Sequence, residues 1–524
     1  MKPNKTSKKR GGRTAAVVDI GSNLLRMRIC QLKRGELSDV EYLEYPVSIG
    51  HEVFTSGKIS FESIRAVSAA LQGFSRLMGE YGTETCRVVA TTALREAGNR
   101  AFAVDQLKIQ NGIQVEILED NQEKSLIYGE MLERLTDKPQ DCCSMFSYIG
   151  TGSIGIAVFR GETIEFSKNI PIGALKLHDM LGSLQALTTG FHEVLEEYLH
   201  ASIGRILAVY PGGLPSIRRL VLAGSDSHLI ARLCGVKEEN GCYTIKTQAL
   251  KELYRKICTL TPEKISYSYR IAETEAELLY TALAIYVYLA ELTKVKEITA
   301  PCVDLIQPIM KEILFPKNKD RLFSRQRENI LGCARLLASS FCCSQPHSEK
   351  VAAAAGMLFD KMKEIHGLDA RKRLLLELAA VLHECGYHIQ PRQLSMGTFQ
   401  LVRSMDIFGL TEEELYSVAA IFLPAGEVSP PVFVSSQQRL VVSKLAAMFR
   451  LADALDQSQK QKLKNLKVRL DKNRLLVSAE SLDEAALEQW AFRQAVPFFE
   501  DVFGVRPELA IRPASANASG LGKV

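Results

Sequence analysis

Ala15-Ala16-Val17-Val18-Asp19-Ile20-Gly21-Ser22-Asn23 is the stretch on which the fold turns. An unbroken apolar run ends in an acid, a glycine and two small polar residues, and a second apolar run covers 24–32. The pattern predicts strand, tight turn, strand. The same theme returns at 145–149, where an apolar run ends in Gly150-Thr151-Gly152-Ser153 and another follows at 156–159. Between the two turns, Ile64, Val67, Leu71, Phe74 and Met78 recur at steps of three and four, which predicts an amphipathic helix. Strands are expected at 87–90 and 115–118 and a helix over 122–135. Beyond the second turn come helices, a strand at 220–223 and a helix from Leu229. Short apolar runs alternating with helical periods are the mark of an α/β fold. Two glycine turns facing each other across a cleft would form a clamp for phosphates.

After about Lys317 the strand pattern ends. Residues 325–460 read as helices, with Leu374, Leu375, Leu378, Val381 and Leu382 on one stripe. A hairpin is expected at 466–470 and 475–478 around Asp471-Lys472-Asn473. The expected organisation is a basic tail (1–13), two α/β subdomains (14–144 and 145–317), a helical domain (318–460) and a small C-terminal α/β segment (461–524). Its last residues, 513–524, read as a loose end.

The chain has 524 residues, 46% of them hydrophobic and 24% charged, which excludes collagen, low-complexity polymer and wholesale disorder. Its 65 basic against 60 acidic residues leave +5. Lys2, Lys5, Lys8, Lys9, Arg10 and Arg13 crowd the start, so the remainder is close to neutral and no nucleic-acid partner is expected. The apolar run 278–290 is too short to span a bilayer and no apolar segment follows the basic start, so neither a membrane span nor a secretory signal is expected. Cytoplasm follows by default. The twelve cysteines are scattered, with adjacent pairs rather than metal-ligand spacing, and read as reduced thiols.

Three short elements carry chemistry. Asp19 closes a strand beside Gly21-Ser22-Asn23: the backbone N–H groups suit a phosphate and the carboxylate suits Mg²⁺, although a plain β-turn uses the same residues. Ala90-Thr91-Thr92-Ala93-Leu94-Arg95 sets hydroxyls, a helix start and a guanidinium together, as an anion site or as an ordinary N-cap. Glu123 lies in the first turn of a helix, either as a complement to the helix dipole or as a general base for water.

In this order, and followed by Ile149-Gly150-Thr151-Gly152-Ser153 and Ile170-Pro171-Ile172-Gly173-Ala174, these elements resemble the exopolyphosphatase/guanosine pentaphosphate phosphohydrolase (Ppx/GppA) family over about 15–315. The helical region resembles that family's HD-like domain through Leu382-His383-Glu384 and Arg450-Leu451-Ala452-Asp453-Ala454-Leu455-Asp456. The resemblance implies two actin-like (ASKHA, ribonuclease H-like) subdomains, then an all-helical HD-like domain. It implies a cytoplasmic homodimer acting on polyphosphate or a guanosine nucleotide. Glu123 would be the catalytic base and Asp19 the ligand of Mg²⁺ or Mn²⁺. Gly21, Ser22, Asn23, Arg95, Gly150, Thr151, Gly152 and Ser153 would hold phosphate.

The chain departs from the family pattern at its second turn. There the family usually reads D-I-G-G-G-S-T-E, but Tyr148 stands in place of the Asp and Gly155 in place of the Glu. A later loop carries Asp226 where glycine is usual, and Leu305-Ile306-Gln307-Pro308 replaces L-R-E-G. Fewer carboxylates to arrange a metal imply weak hydrolysis, unless Tyr148 or Asp226 substitutes. Two expectations follow: a phosphohydrolase releasing terminal phosphate, or a weakly active or non-catalytic protein binding polyphosphate or guanosine tetraphosphate. A sugar-kinase-like phosphotransferase shares the fold, but no sugar-binding pattern accompanies it. In the helical region His383-Glu384 stands where the resemblance puts a metal-binding His-Asp pair, but no histidine follows His388 and Asp453 is the remaining candidate ligand, so a metal-free domain is expected.

Overall fold

The computed structural model describes residues 13–513 apart from 136–141, 186–187, 189, 211–212, 317–318, 390, 425–434 and 472. Most of the expected basic tail and all but Pro513 of the loose end lie outside the described residues. Two compact units divide at Asn329/Ile330, inside the Lys319–Ser340 helix.

The first unit contains two sheets. β1 (Arg13–Ile20), β2 (Leu24–Lys33), β3 (Glu36–Pro46), β4 (Thr85–Ala90) and β5 (Val115–Ile117) lie in the order β3-β2-β1-β4-β5. The first three strands pair antiparallel, and β4 and β5 join parallel. β6 (Cys143–Ile149), β7 (Ile154–Arg160), β8 (Thr163–Ile170), β9 (Arg219–Gly224), β10 (Cys242–Lys246) and β11 (Glu297–Pro301) form the second, ordered β10-β11-β9-β6-β7-β8. Without β10, the second order is that of the first. A duplicated sheet of three antiparallel and two parallel strands is the actin-like architecture, as the sequence implied. The two glycine turns are equivalent in it: each joins the central strand of its sheet (β1, β6) to an antiparallel neighbour (β2, β7).

β1 is buried from Thr14 onward because both of its faces are covered, Ala16, Val18 and Ile20 by the core of the Phe61–Glu80 helix and the other face by the Ile306–Leu314 helix, which explains an unbroken rather than alternating apolar run. The expected helix forms at Phe61–Glu80, capped by Ser60, whose hydroxyl accepts from the Ser63 N–H. Such a cap contributes about 1 kcal/mol. Its stripe (Ile64, Val67, Leu71, Phe74) packs into the same core as Val18, Ile20, Leu25 and Met27. Each large side chain so buried contributes about 1.5–3 kcal/mol.

The 278–290 run proves to be the middle of a 21-residue helix, Glu273–Thr293, long and apolar enough to cross a membrane by length and composition. In this unit it is a core helix, with 72% of its apolar window buried.

The second unit is helical through Gln345–Lys361, Ala370–Leu382, Glu412–Ala420 and Ser436–Asp453. It closes with β12 (Lys464–Asp471) and β13 (Arg474–Ser481), the expected hairpin, then a helix (Ala486–Phe503) and β14 (Arg506–Pro513) parallel to β13. All twelve cysteines are free thiols.

Candidate phosphate-binding cleft

The ends of β1 and β6 open onto one cleft of about 580 Å³ in the first unit. Asp19, Gly21, Ser22 and Asn23 line it from one turn, Gly150 and Thr151 from the other, with Glu123, Tyr148 and Asp226 along its walls. The first turn is held by backbone bonds: Gly21 N–H to Leu24 O at 3.0 Å and Gly50 N–H to Ser22 O at 2.9 Å. In the second, Gly150 N–H donates to Ser153 O at 2.9 Å, and Ala174 N–H donates back to Gly150 O at 3.2 Å. That return contact explains the glycine of Ile172-Gly173-Ala174, where a Cβ would run into the backbone of Gly150, Thr151 and Gly152.

Asp19 is buried and its Oδ1 has no hydrogen-bond partner. Burial pushes its carboxyl up to about 7; Arg26 works against that shift, while Glu123 and Asp304 add to it. An orphaned carboxylate oxygen facing a polar cleft is a donor fit for a hard cation such as Mg²⁺. The second turn offers no matching acid. Tyr148 occupies that position, and burial together with the Glu123 charge pushes its phenol up, so it remains a neutral hydroxyl. Asp226, whose orientation the sequence left open, does line the cleft, and burial pushes its carboxyl up to about 6.

Glu123 sits in the first turn of the Asp120–Arg134 helix, 5% exposed. Each of its oxygens meets a cation: Arg95 Nη1 at 3.3 Å from Oε2 and Lys124 Nζ at 3.3 Å from Oε1. Arg95 is further committed to Asp120 Oδ1 at 2.7 Å, Leu118 O at 2.6 Å and Thr92 Oγ1 at 3.0 Å. It therefore positions Glu123 from behind, and neither it, Gly152 nor Ser153 lines the cleft. The three residues expected to hold phosphate thus lie behind the cleft wall rather than on it. Ser153 is consumed internally, donating to Asp120 Oδ1 at 3.1 Å and accepting from Lys124 Nζ at 3.1 Å.

Lys124 is the residue that sequence reasoning missed. It is fully buried, and its ammonium also lies 5.0 Å from the centre of the Tyr148 ring. Its stem fills the space beside Gly155: a Cβ there would stand 2.5 Å from Tyr128 Oη and 2.9 Å from Lys124 Cδ and Cε. A signal existed. Lys124, Ile127, Tyr128 and Met131 are spaced as one apolar helix stripe, so the lysine stands where the period asks for a core residue.

Cross-cleft pairs join the two halves, His51 Nδ1 to Asp179 Oδ1 at 3.1 Å and Lys176 Nζ to Glu96 Oε2 at 2.6 Å.

In the second unit, His383 lies beside Asp453 as its sequence context suggested, but a second histidine joins them. His347, 36 residues upstream of His383 and passed over in the sequence, stacks edge-on against it at 5.0 Å between ring centres. Burial opposes charging His347, yet hydrogen bonding to Asp453 and Asp456 outweighs it and raises its pKa to about 9.

The class of protein is thus an actin-like two-subdomain fold with a phosphate-sized cleft at its paired turns. Residues 28–300 match the model of the Ppx/GppA phosphatase family and residues 332–495 match domain III of the Ppx/GppA phosphatases; the chain belongs to this family. Among solved structures it is similar to the Aquifex aeolicus member of the Ppx/GppA family, at 20% identity over 58% of this chain and 99% of that one, with a TM-score of 0.50. It is also similar to an exopolyphosphatase from Cytophaga hutchinsonii, at 17% identity over 58% and 98%, with a TM-score of 0.52. At these identities the likeness shows the fold.

Proposed function

We propose that this family member binds the phosphate chain of inorganic polyphosphate or of guanosine pentaphosphate in the cleft, and hydrolyses its terminal phosphoanhydride slowly. The observation that carries the reading is Glu123, held at the cleft wall near an orphaned Asp19 and two glycine turns. Backbone N–H groups of Ser22, Asn23 and Thr151 would take phosphate oxygens, those of Gly21 and Gly150 being bonded to Leu24 O and Ser153 O within the turns. Glu123 would accept a proton from the attacking water, with Arg95 fixing its orientation. Mg²⁺ or Mn²⁺ held by Asp19 would supply offset of the phosphate charge.

Slow turnover follows from the second turn. Lys124 Nζ occupies one oxygen of Glu123 at 3.3 Å, and Tyr148 brings no charge to arrange a metal. The same observation favours the second reading, a protein that binds phosphate chains without cleaving them.

The test is phosphate release from long-chain polyphosphate and from guanosine pentaphosphate with Mg²⁺ or Mn²⁺, wild type beside Glu123→Gln, with binding followed by calorimetry. Release that is lost in the variant supports hydrolysis. Binding without release favours the second reading, and neither binding nor release contradicts both.

A further inference from the structure

Two of the twelve free thiols touch: Cys343 Sγ lies 3.5 Å from Cys385 Sγ, although 42 positions separate them in the chain. Both belong to the second unit. Cys343 stands in the elbow between the Lys319–Ser340 and Gln345–Lys361 helices, and Cys385 opens the short helical turn Cys385–His388 that follows Ala370–Leu382. Cys385 is fully buried, whereas Cys343 is half-buried and its neighbour Cys342 is exposed.

The contact is fixed from both sides by groups other than the thiols. At the elbow Cys342 takes a left-handed φ of 53°, and the N–H groups of Cys342 and Cys343 return to Ser339 O and Ala338 O, each at 3.1 Å. The next N–H, of Ser344, donates to Glu384 Oε2 at 2.7 Å, which ties the residue after Cys343 to the residue before Cys385. Glu384 is held in turn by Gln459 Nε2 at 2.6 Å, and the Thr398 hydroxyl donates to His383 O at 2.9 Å. Gly386 lies so close to Thr398 that a Cβ there would stand 2.3 Å from its backbone nitrogen. The two sulfurs are thus brought together by their neighbours.

A disulfide holds its sulfurs about 2.05 Å apart, so closing the pair takes a movement of about 1.5 Å, which side-chain rotation can supply. The exposures divide the work. An oxidant reaches Cys343 from solvent, and Cys385 waits behind it in the core. A thiol with such a partner is captured as a disulfide at the sulfenic acid stage, whereas a lone thiol oxidises onward to sulfinic acid.

We propose that Cys343 and Cys385 form a redox modification site, closed to a disulfide by hydrogen peroxide and reopened by a dithiol. Cys343 attacks one peroxide oxygen; the O–O bond breaks, Cys343 becomes a sulfenic acid, and water leaves with the thiol proton. Cys385 then attacks the Cys343 sulfur; the S–OH bond breaks, and the hydroxyl leaves as a second water with the Cys385 proton. The two thiols lose two electrons and the peroxide gains them. The return runs through thiol–disulfide exchange, in which the dithiol is itself oxidised to a disulfide. The bridge closes a loop of 42 residues and so constrains the unfolded chain. The site lies in the second unit and owes nothing to the function proposed for the cleft.

The experiment uses the reduced full chain, treated with hydrogen peroxide, alkylated, digested without reductant and mapped by mass spectrometry. All twelve thiols are open to reaction, so the map and the variants decide. The expected product is a linked peptide pair joining Cys343 to Cys385, present also in Cys342→Ser and lost on treatment with dithiothreitol. The linked chain should unfold about 5–10 °C above the reduced one. Single variants read the order of attack: Cys385→Ser should leave a sulfenic acid at Cys343 that dimedone traps, and Cys343→Ser should leave Cys385 unmodified. If the buried Cys385→Ser fails to fold, the wild-type map and the half-buried Cys343→Ser carry the test. No link between Cys343 and Cys385, a link from Cys342 in place of Cys343, or wild-type Cys343 driven to sulfinic acid overturns the proposal.

Discussion

The two glycine turns occupy equivalent places in a duplicated sheet, yet they hold opposite contents. The first presents a bare acid to the cleft: Asp19, buried, with one oxygen unpartnered. The second is stoppered: Lys124 fills the space beside Gly155, and Ser153 turns inward to Lys124 and Asp120. The first turn stores cost that a bound cation would relieve. The second has spent its polar groups on internal pairing.

The comparison predicts effects of different size and sign. Removing the base by Glu123→Gln should lower kcat for phosphate release by about 10²–10⁴ with little change in KM, read from steady-state kinetics. Undiminished turnover would take Glu123 out of the chemistry. Lys124→Ala should destabilise the chain by about 3–5 kcal/mol in denaturant unfolding, since it breaks a buried ion pair and leaves Glu123 and Asp120 undercompensated. Unchanged stability would mean that Lys124 is not the stopper described here.

Gly155→Glu alone should cost about 1–3 kcal/mol or more from overpacking against Tyr128 and Lys124. Combined with Lys124→Ala it should cost less than the two separate losses added together, a coupling that a double-mutant cycle measures. Additive losses would show that the two positions do not share one space. At the first turn the sign reverses. Asp19→Asn should raise stability by about 1 kcal/mol, because it removes an unpaired buried carboxylate, while abolishing any Mg²⁺-dependent release.

The architecture was legible where burial is one-sided or complete. β1, β6 and the Phe61–Glu80 stripe announce themselves by unbroken or periodic apolar residues. β3 does not: Glu36–Pro46 is an edge strand with no buried residue, and its apolar Leu37, Val40 and Leu43 fall among polar residues without a strand's alternation. In the cleft, Asp19, the first turn, Glu123, Gly150 and Thr151 reach the positions their motifs suggested. Arg95 and Ser153 do not, because sequence cannot tell a cation or hydroxyl aimed at ligand from one aimed at a neighbouring carboxylate. Lys124 stands on the apolar stripe of its helix, but only the fold brings Gly155, 31 positions later, beside it to leave it room. His347 was hidden by distance, since only the folded chain brings Gln345–Lys361 against the end of Ala370–Leu382.

The central claim is that a lysine stopper, rather than loss of the fold or of the base, limits hydrolysis. The direct measurement is Mg²⁺-dependent phosphate release from polyphosphate by wild type and by the Lys124→Ala, Tyr148→Asp, Gly155→Glu triple variant. Removing the lysine together with restoring both acids is required, because Gly155→Glu has no room while Lys124 remains. The account predicts slow release by the wild type and a rise of at least about tenfold, near 1.4 kcal/mol of barrier, in the folded triple variant. Brisk wild-type release that falls in the triple variant would contradict it, and would make Tyr148 and Lys124 working parts of the site.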